Sequence, residues 1–411
     1  MSKEKVKVAF VTPLMIIGGA ESYIINKCKW LVENGFDVLV ISEGGENVSN
    51  LPKEAVHIKL EGVSLPPLVF TNAQYNNFKQ SLKTILLKNK VNVIEAHNSY
   101  PIVHVASIYK ETKIPFFVNV LSELSYRRNP LLKSITKKLN GLDLYYTLTP
   151  QMNEYIEGVT KSKLHPTIIP IPVKAIPSRL EILDEKYVLS VSRLSNDKDY
   201  VRYLIQDFYE LYKVNQAFQA YKLVIVGDGL LFEELNQLAA NINAEIGKEV
   251  IQLKGTVMGK DLELLFQNCA MFVGMGTTLL LAASCGKPSI IAGFTSETNK
   301  YAWGYWGENH LDKDILVINA PGDRLPISFQ SAMQDIIESH SRCSSAGKAA
   351  IELFNESYNY DSIMTLWKNE YQKIIDIFKN NESRIVNELK NYELQFHFYR
   401  QIRQIVKLFK I

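Results

Sequence analysis

The chain has 411 residues, of which 46% are hydrophobic and 22% charged, and a formal net charge of +3. This length exceeds what one hydrophobic core usually organises, so we expect two domains, and the composition excludes a disordered or fibrous chain. The small net charge gives no support for a nucleic-acid partner, and no stretch of sequence approaches the roughly 20 continuous apolar residues of a membrane span.

Short apolar runs alternate with longer amphipathic stretches along the first part of the chain. Compact apolar runs predict buried strands, and apolar residues spaced three or four apart predict helices. We predict strands at residues 6–12, 36–42, 91–95, 115–120, 144–148 and 167–169. One helix is expected after Gly18 and another before residue 91. This alternation predicts βαβ units and a parallel sheet.

The same alternation restarts after a proline-rich stretch, in which Pro170, Pro172 and Pro177 predict an interdomain linker. Further strands are predicted at residues 187–191, 222–226, 250–254, 270–273 and 289–292, with a long helix at 199–214. We therefore predict an α/β protein with two Rossmann-like, doubly wound domains at residues 1–175 and 176–365, facing a central cleft. Ligands of such sheets bind beyond the carboxyl ends of the strands.

A glycine loop follows the first predicted strand. Gly18 and Gly19 allow a ligand to approach the backbone closely, and the helix that follows offers unpaired N–H groups and a positive dipole end to an anion. Glu21 falls in the first helical turn, where a carboxylate is favourable in any helix. The segment therefore fits both an anion site and an ordinary strand–helix turn.

Two segments of the second half also suit phosphate. Arg193 and Lys198 flank a loop after the strand at 187–191, where two cations can neutralise a diphosphate or can lie solvated beside a turn. After the strand at 270–273, Gly276, Thr277 and Thr278 begin an apolar helix. Its N-terminus and hydroxyls suit a phosphate, and they suit a simple helix cap equally well.

Five segments in this order resemble one protein family. They are GGAE at 18–21, SRLSNDK at 192–198, VIVGDGLLFEEL at 224–235, the stretch 253–273 and AASCGKP at 282–288. Their order and spacing are similar to those of family 4-like GT-B glycosyltransferases, over most of residues 5–375. The stretch after residue 354 also looks like the closing helix of that family, so we expect residues 366–380 to cross back to the N-terminal domain.

The resemblance implies a function. It implies retaining transfer of a sugar from a nucleotide-sugar donor to a glycan or lipid-linked acceptor, in the synthesis of a bacterial capsule, exopolysaccharide or O-antigen. Neither a metal nor any other cofactor is implied, because the nucleotide-sugar is a substrate.

The resemblance also implies roles for individual residues. Arg193 and Lys198 match the pair that holds the donor diphosphate, assisted by the helix start at 276–278. The glycine loop at 18–21 matches the side facing donor phosphate and acceptor. The backbone of Thr256 and Val257 matches the segment that contacts the nucleotide base.

The sequence departs from the family at two places. The family has a Glu-x7-Glu pattern whose second glutamate binds the donor ribose, and Val273 and Leu281 occupy those positions here. An aliphatic side chain cannot accept a hydrogen bond from a hydroxyl. The family also has a histidine where this chain has Leu121, two residues before Glu123. Glu123 is a candidate substitute, as are Glu297 and Glu308, although surface charge explains each of them as well.

These departures keep alternatives open. The chain is either an active glycosyltransferase or a non-catalytic GT-B accessory subunit, and a sugar-nucleotide epimerase of the same architecture is a further competitor. His97, at a predicted strand end, either faces the cleft or caps the strand. The aromatic segment with Trp303, Tyr305 and Trp306 either stacks on a sugar or packs on its own domain.

The tail 381–411 carries a basic amphipathic pattern. Its apolar residues at helical spacing are Leu394, Phe398, Ile402, Ile405 and Phe409, beside Arg400, Arg403, Lys407 and Lys410. This pattern is typical of a helix on an anionic membrane surface and also of a packing or oligomerisation helix.

Cysteine usage and the N-terminus bear on the compartment. The four scattered cysteines predict free thiols and no zinc site, and the N-terminus is predicted to be a strand and not a signal peptide. We therefore expect a cytoplasmic protein, peripheral at the inner face of the plasma membrane.

Overall fold

The computed structural model describes residues 5–97, 99–126, 129–177, 186–308, 315, 325–390 and 396. The chain forms two compact units. The first comprises Met1–Pro172 with Asp361–Ile411, and the second comprises Val173–Tyr360. The α/β class predicted from the alternating strands and helices is confirmed in both.

The first unit is built on a parallel sheet. Its strands are β1 (Lys7–Val11), β2 (Asp37–Ser42), β3 (Val56–Lys59), β4 (Val93–His97), β5 (Phe116–Val120), β6 (Tyr145–Thr147) and β7 (Thr167–Ile168). Its helices are α1 (Gly19–Glu33), α2 (Asn72–Lys88), α3 (Ser99–Thr112), α4 (Pro130–Asn140) and α5 (Pro150–Thr160). The strand order is β3-β2-β1-β4-β5-β6-β7, with every pair parallel.

Local sequence explains where several of these helices begin. The Thr71 hydroxyl accepts a hydrogen bond from the N–H of Gln74, and the side-chain oxygen of Gln74 accepts one from the N–H of Thr71, so a capping box starts α2. Asn129 and Thr149 cap α4 and α5, each followed by a proline in the first helical position, where its missing N–H costs nothing.

The second unit has a mostly parallel sheet. Its strands are β8 (Lys186–Val191), β9 (Tyr221–Val226), β10 (Ile251–Leu253), β11 (Met271–Gly274), β12 (Ser289–Ala292) and β13 (Ala302–Tyr305). Its helices are α6 (Tyr200–Val214), α7 (Phe232–Ile246), α8 (Gly259–Asn268), α9 (Thr277–Ser284), α10 (Phe329–Glu338) and α11 (His340–Ser357). The order is β10-β9-β8-β11-β12-β13, and only β13 of this sheet runs antiparallel to its neighbour.

The aromatic segment before residue 307 contributes strand β13 and does not form a loop. Trp303 and Trp306 are buried, and the Trp303 indole N–H donates to the carbonyl of Thr298 at 2.8 Å. Packing within the second unit therefore explains this segment. Strands β3 and β13 escape sequence prediction because β3 lies half-exposed at a sheet edge and β13 contains a glycine.

Helix α12 (Tyr360–Asn380) returns the chain to the first unit. Its buried residues recur at helical spacing: Ile363, Met364, Trp367, Tyr371, Ile374 and Phe378. The Trp367 ring lies 5.7 Å from the ring of Phe117 in β5, and the Phe378 ring lies 5.3 Å from that of Tyr109 in α3. This apolar stripe packs against β5 and α3.

The beginning of the tail packs on the first unit. Residues 382–390 are helical, with Ile385 and Leu389 buried. Arg384 donates to the carbonyl of Gly141 at 2.9 Å, and Glu388 pairs with Lys138 at 3.6 Å. The other predicted positions, Leu394 and those from Phe398 onward, lie outside the described residues. Among the described helices, none is both long enough and apolar enough to cross a membrane.

Candidate active site

The loop after β8 is held in place by a second loop at the same edge of the sheet. The N–H of Ser192 donates to the carbonyl of Val226 at 3.0 Å, and the N–H of Leu194 donates to the carbonyl of Asp228 at 2.9 Å. Gly227 has a φ of +143°, and a Cβ there would clash with the carbonyl oxygen of Ser192. The Gly-Asp-Gly sequence at 227–229 therefore helps to fix the backbone on either side of Arg193.

Arg193 lies exposed at this edge, with its side chain 65% accessible. Its Nη2 is 3.1 Å from Oδ2 of Asp197, and its Nε donates to the Ser195 hydroxyl at 3.1 Å. Burial raises the pKa of Asp197, but the Ser195 hydrogen bond and the Arg193 charge outweigh this and lower it. A guanidinium has five N–H donors, so donors remain for an anionic ligand.

Lys198 ends a 3-10 turn (Asn196–Lys198) on the same loop. Its Nζ lies 5.2 Å from the centre of the Phe294 ring, in the loop after β12. The predicted pair, Arg193 and Lys198, therefore stands on one loop at the carboxyl end of β8, on either side of Asp197.

The start of α9 is more occupied than the sequence suggested. The N–H of Gly276 donates to the carbonyl of Ile315, and the Thr278 hydroxyl lies 3.0 Å from the carbonyls of both Val191 and Met275. Because a hydroxyl has one proton, that of Thr278 is committed to the backbone. The expectation that Thr278 donates to phosphate is corrected: its hydroxyl ties α9 to β8. Thr277 is half-buried at the first helical position.

The segment matched to the nucleotide base follows β10. Thr256 is exposed and Val257 half-buried in the loop before α8. The neighbouring Gly255 accepts a hydrogen bond of 2.8 Å from the N–H of Gly227, which joins this loop to the one that supports Arg193. The loops after β8, β9 and β10 are thus connected by backbone hydrogen bonds at one edge of the second sheet.

The positions of the missing carboxylates contain no substitute. Val273 is fully buried in β11, and Leu281 is half-buried in α9. Of the suggested replacements, Glu308 binds the guanidinium of Arg342 through both carboxylate oxygens, and Glu297 is exposed on a turn. Glu308 is therefore committed to a structural ion pair.

In the first unit, the glycine loop is held by the residues after β2. The N–H of Met15 donates to Gly44 at 2.9 Å, and the N–H of Asn47 donates to Met15 at 2.8 Å. Gly18 is extended and Gly19 begins α1, while the Glu21 carboxylate folds back over Gly18. A negative charge of the chain itself therefore lies at the N-terminus of α1.

His97, predicted either to face a cleft or to cap its strand, does not face solvent. Strand β4 extends to His97, and the side chain is completely buried. Its Nε2 lies 2.8 Å from Oε1 of Glu95, and burial lowers its pKa. The other candidate of this edge, Glu123, begins a 3-10 turn (Glu123–Tyr126) after β5, and its side chain lies outside the described part of the structure.

Sequence reasoning missed a group of buried polar residues around Glu95. Lys27 Nζ lies 2.7 Å from Oε2 of Glu95, and both side chains are fully buried. Tyr23, Asn119 and Tyr371 also contact Glu95. We call these six residues the Glu95 cluster: Tyr23, Lys27, Glu95, His97, Asn119 and Tyr371. Lys27 and Tyr23 share the buried face of α1 with apolar residues, so the only available signal was a lysine at an apolar helical position.

Among the described residues, no three His, Cys, Asp or Glu side chains come together as a metal-binding group.

Solved structures of the same architecture identify the class of fold. A glycosyltransferase from Rickettsia africae superimposes with a TM-score of 0.69 at 16% identity, covering 91% of this chain and 99% of that one. Anabaena Alr3699/HepE, in complex with UDP and glucose, gives 0.62 at 16% identity, covering 90% and 100%. WaaG, a glycosyltransferase involved in lipopolysaccharide biosynthesis, gives 0.58 at 12%, covering 89% and 99%. The fold is that of the GT-B glycosyltransferases, as predicted.

Family models identify the family. Residues 17–173 match the model for glycosyltransferase family 4, and residues 185–325 match the model for glycosyl transferases group 1. Together these matches cover well over half of the chain, and no curated protein matches its sequence. The chain belongs to the family 4-like GT-B glycosyltransferases, and the predicted enzyme class is confirmed.

Proposed function

We propose that the protein transfers a sugar from a nucleoside diphosphate donor, and that the exposed Arg193 binds the donor diphosphate. The observation that supports this most is the fixed loop: the backbone of Ser192 and Leu194 is hydrogen-bonded to the end of β9 and to the loop after it, which holds the backbone on both sides of Arg193. Positioned cations stabilise a departing diphosphate without requiring a protein nucleophile. Lys198 stands on the same loop and adds a second positive charge.

One further loop and the start of α9 complete the proposed donor site. The backbone of Thr256 and Val257 would contact the base, and the N–H groups at the start of α9 would assist the phosphate. The hydrophobic Val273 and Leu281 leave the ribose without carboxylate partners. We therefore expect the diphosphate to contribute most of the donor affinity.

The acceptor and the pathway are part of the same proposal. We propose a glycan or lipid-linked acceptor in the synthesis of a bacterial surface polysaccharide, reached from the glycine loop with Gly18, Gly19 and Glu21. WaaG, which has the same fold, is involved in lipopolysaccharide biosynthesis. The proposed transfer is retaining and metal-independent, and the protein would act in the cytoplasm at the membrane surface.

The test is a calorimetric titration of the full chain with UDP, GDP, ADP and dTDP, in the presence and absence of EDTA. Saturable binding of one of them, unchanged by EDTA, is expected, and the preferred nucleotide names the base. UDP is the first candidate, because Alr3699/HepE was solved with it. If none of the four binds, the proposal fails and a non-catalytic GT-B subunit becomes the better explanation.

A further inference from the structure

Glu95 is a shared acceptor for three secondary-structure elements of the first unit. From β4, its Oε1 accepts from Asn119 of β5 at 2.9 Å, and its Oε2 accepts from the hydroxyl of Tyr371 in α12. Both oxygens also lie within 3.0 Å of Lys27 Nζ in α1. One carboxylate therefore joins the sheet, the helix that follows the glycine loop and the C-terminal helix.

Lys27 has further contacts with both helices. Its Nζ lies 2.9 Å from the Tyr23 hydroxyl within α1 and 3.2 Å from the ring centre of Trp367 in α12. All these groups are buried, with Lys27, Glu95 and Trp367 at 0% exposure. Loss of one partner leaves an uncompensated charge in a medium of low dielectric constant. Arrangements of the helices that break these contacts are therefore destabilised.

The apolar part of the contact between α12 and the sheet lacks this directionality. Rings of Trp367 and Phe378 pack on rings of Phe117 and Phe116 at 5.7 and 5.9 Å, and such apolar contacts are non-directional, so they select the axial position of the helix less sharply than hydrogen bonds do. Tyr371 stands four residues from Trp367, on the same helical face. A one-turn shift would remove its hydroxyl from Glu95.

We propose that the Glu95 cluster is a register lock for the C-terminal helix, by which we mean a group that fixes the axial position of α12 on the first unit. The buried Lys27–Glu95 ion pair favours the one position of α12 that brings the Tyr371 hydroxyl to Glu95. The apolar stripe supplies the attraction, and the buried pair selects the position. Because Lys27 belongs to α1, the same pair sets the position of α12 relative to the helix that begins at the glycine loop.

The test compares two tyrosine-to-phenylalanine variants of the full chain. Tyr371→Phe removes the hydrogen bond to Glu95 and keeps the ring. Tyr146→Phe is the matched control, because the Tyr146 hydroxyl also bonds to α12, at Glu370 (2.7 Å), but lies outside the cluster. Amide hydrogen exchange of residues 363–378 is measured by mass spectrometry, with α7 of the second unit as an internal reference.

Tyr371→Phe is expected to raise exchange in α12 on the order of tenfold, and Tyr146→Phe less than about threefold. A second readout is the 19F spectrum of 5-fluorotryptophan protein, with the Trp367 signal assigned by Trp367→Phe. One Trp367 resonance is expected in the wild type and in Tyr146→Phe, and a second resonance in Tyr371→Phe. Equal acceleration in both variants, acceleration spread evenly over the first unit, or a single unchanged resonance in Tyr371→Phe overturns the register lock.

Discussion

Gly227 lies directly against the carbonyl oxygen of Ser192, in a conformation with φ of +143°. No side chain fits between them, because a Cβ at residue 227 would overlap that oxygen. The contact joins the loop after β9 to the loop that carries Arg193. The position of Arg193, the residue proposed to bind the diphosphate, therefore depends on a glycine in a neighbouring loop.

Gly227→Ala tests this dependence. Gly247→Ala is its control, because Gly247 also has a positive φ, +75°, but a Cβ there meets no atom within 4 Å. Gly247→Ala should lower the free energy of unfolding by about 1–2 kcal/mol, because alanine must adopt the left-handed backbone conformation. Gly227→Ala adds the clash with Ser192 and should lower the free energy of unfolding by at least about 1 kcal/mol more than Gly247→Ala does. Of the two variants, only Gly227→Ala should weaken nucleotide binding. Urea unfolding and calorimetry check both effects, and equal behaviour of the two variants would contradict the argument.

Arg193→Ala should weaken binding of the preferred nucleoside diphosphate by roughly 10- to 100-fold, since hydrogen bonds to charged groups are worth about 1.5–3 kcal/mol. Arg202→Ala is the control: Arg202 is an arginine of the same unit that already pairs with Asp199 and Glu234, at 3.0 and 2.6 Å. Its removal should leave the affinity within about threefold. Calorimetric titration measures both, and an unchanged affinity in Arg193→Ala would exclude the proposed donor site.

The Lys27–Glu95 pair should respond differently to single and double replacement. Glu95→Gln leaves Lys27 buried without its counterion and should destabilise the first unit by about 3–5 kcal/mol. The double variant Lys27→Met/Glu95→Gln removes both charges and should recover a substantial part of that loss. Urea unfolding of the two variants and the wild type gives the comparison. A double variant less stable than Glu95→Gln alone would show that the charges are not coupled.

The same pair predicts a pH dependence. Burial alone raises the pKa of Glu95, but the charge of Lys27 and its hydrogen bonds hold it well below its usual range. Below pH of about 4 the unfolded state takes up a proton that the folded carboxylate does not, so stability is lost as the pH falls. The advantage of the wild type over the uncharged double variant Lys27→Met/Glu95→Gln should therefore shrink below pH 4, by up to about 1.4 kcal/mol per pH unit. Parallel curves of unfolding free energy at pH 5, 4 and 3.5 would falsify this assignment.

The fold was largely predictable because its strands are short apolar runs separated by amphipathic helices. The predicted strand at 289–292 is identical to β12, and the strand predicted at 187–191 differs from β8 by one residue. The predicted strand at 91–95 stopped at Glu95, whereas β4 continues to His97, because polar residues usually end a buried run. Their burial depends on Lys27 and Tyr371, which lie 68 and 276 residues from Glu95 and cannot be paired with it from local pattern.

The candidate site was predictable only in part. The position of Arg193 after a strand could be read from the sequence, but its partner Asp197 and the supporting role of Gly227 could not. The Thr278 hydroxyl looked available to a phosphate because the sequence does not show that it contacts the carbonyl of Val191, 87 residues away. Tertiary hydrogen bonds decide which polar groups remain for a ligand.

Membrane attachment by the tail is the remaining prediction. Since residues 382–390 pack on the first unit, we expect the basic residues Arg400, Arg403, Lys407 and Lys410 to provide the attraction to anionic lipid, about 1 kcal/mol each. Deletion of residues 397–411 should therefore abolish cosedimentation of the protein with vesicles that contain phosphatidylglycerol. This deletion keeps Ile385 and Leu389, the buried residues of the packed part of the tail. Replacement of the four basic residues by glutamine, which preserves the apolar residues, should weaken binding on the order of 100-fold or more. Vesicles of phosphatidylcholine alone are the control, and binding that is insensitive to both changes would place the membrane contact elsewhere or exclude it.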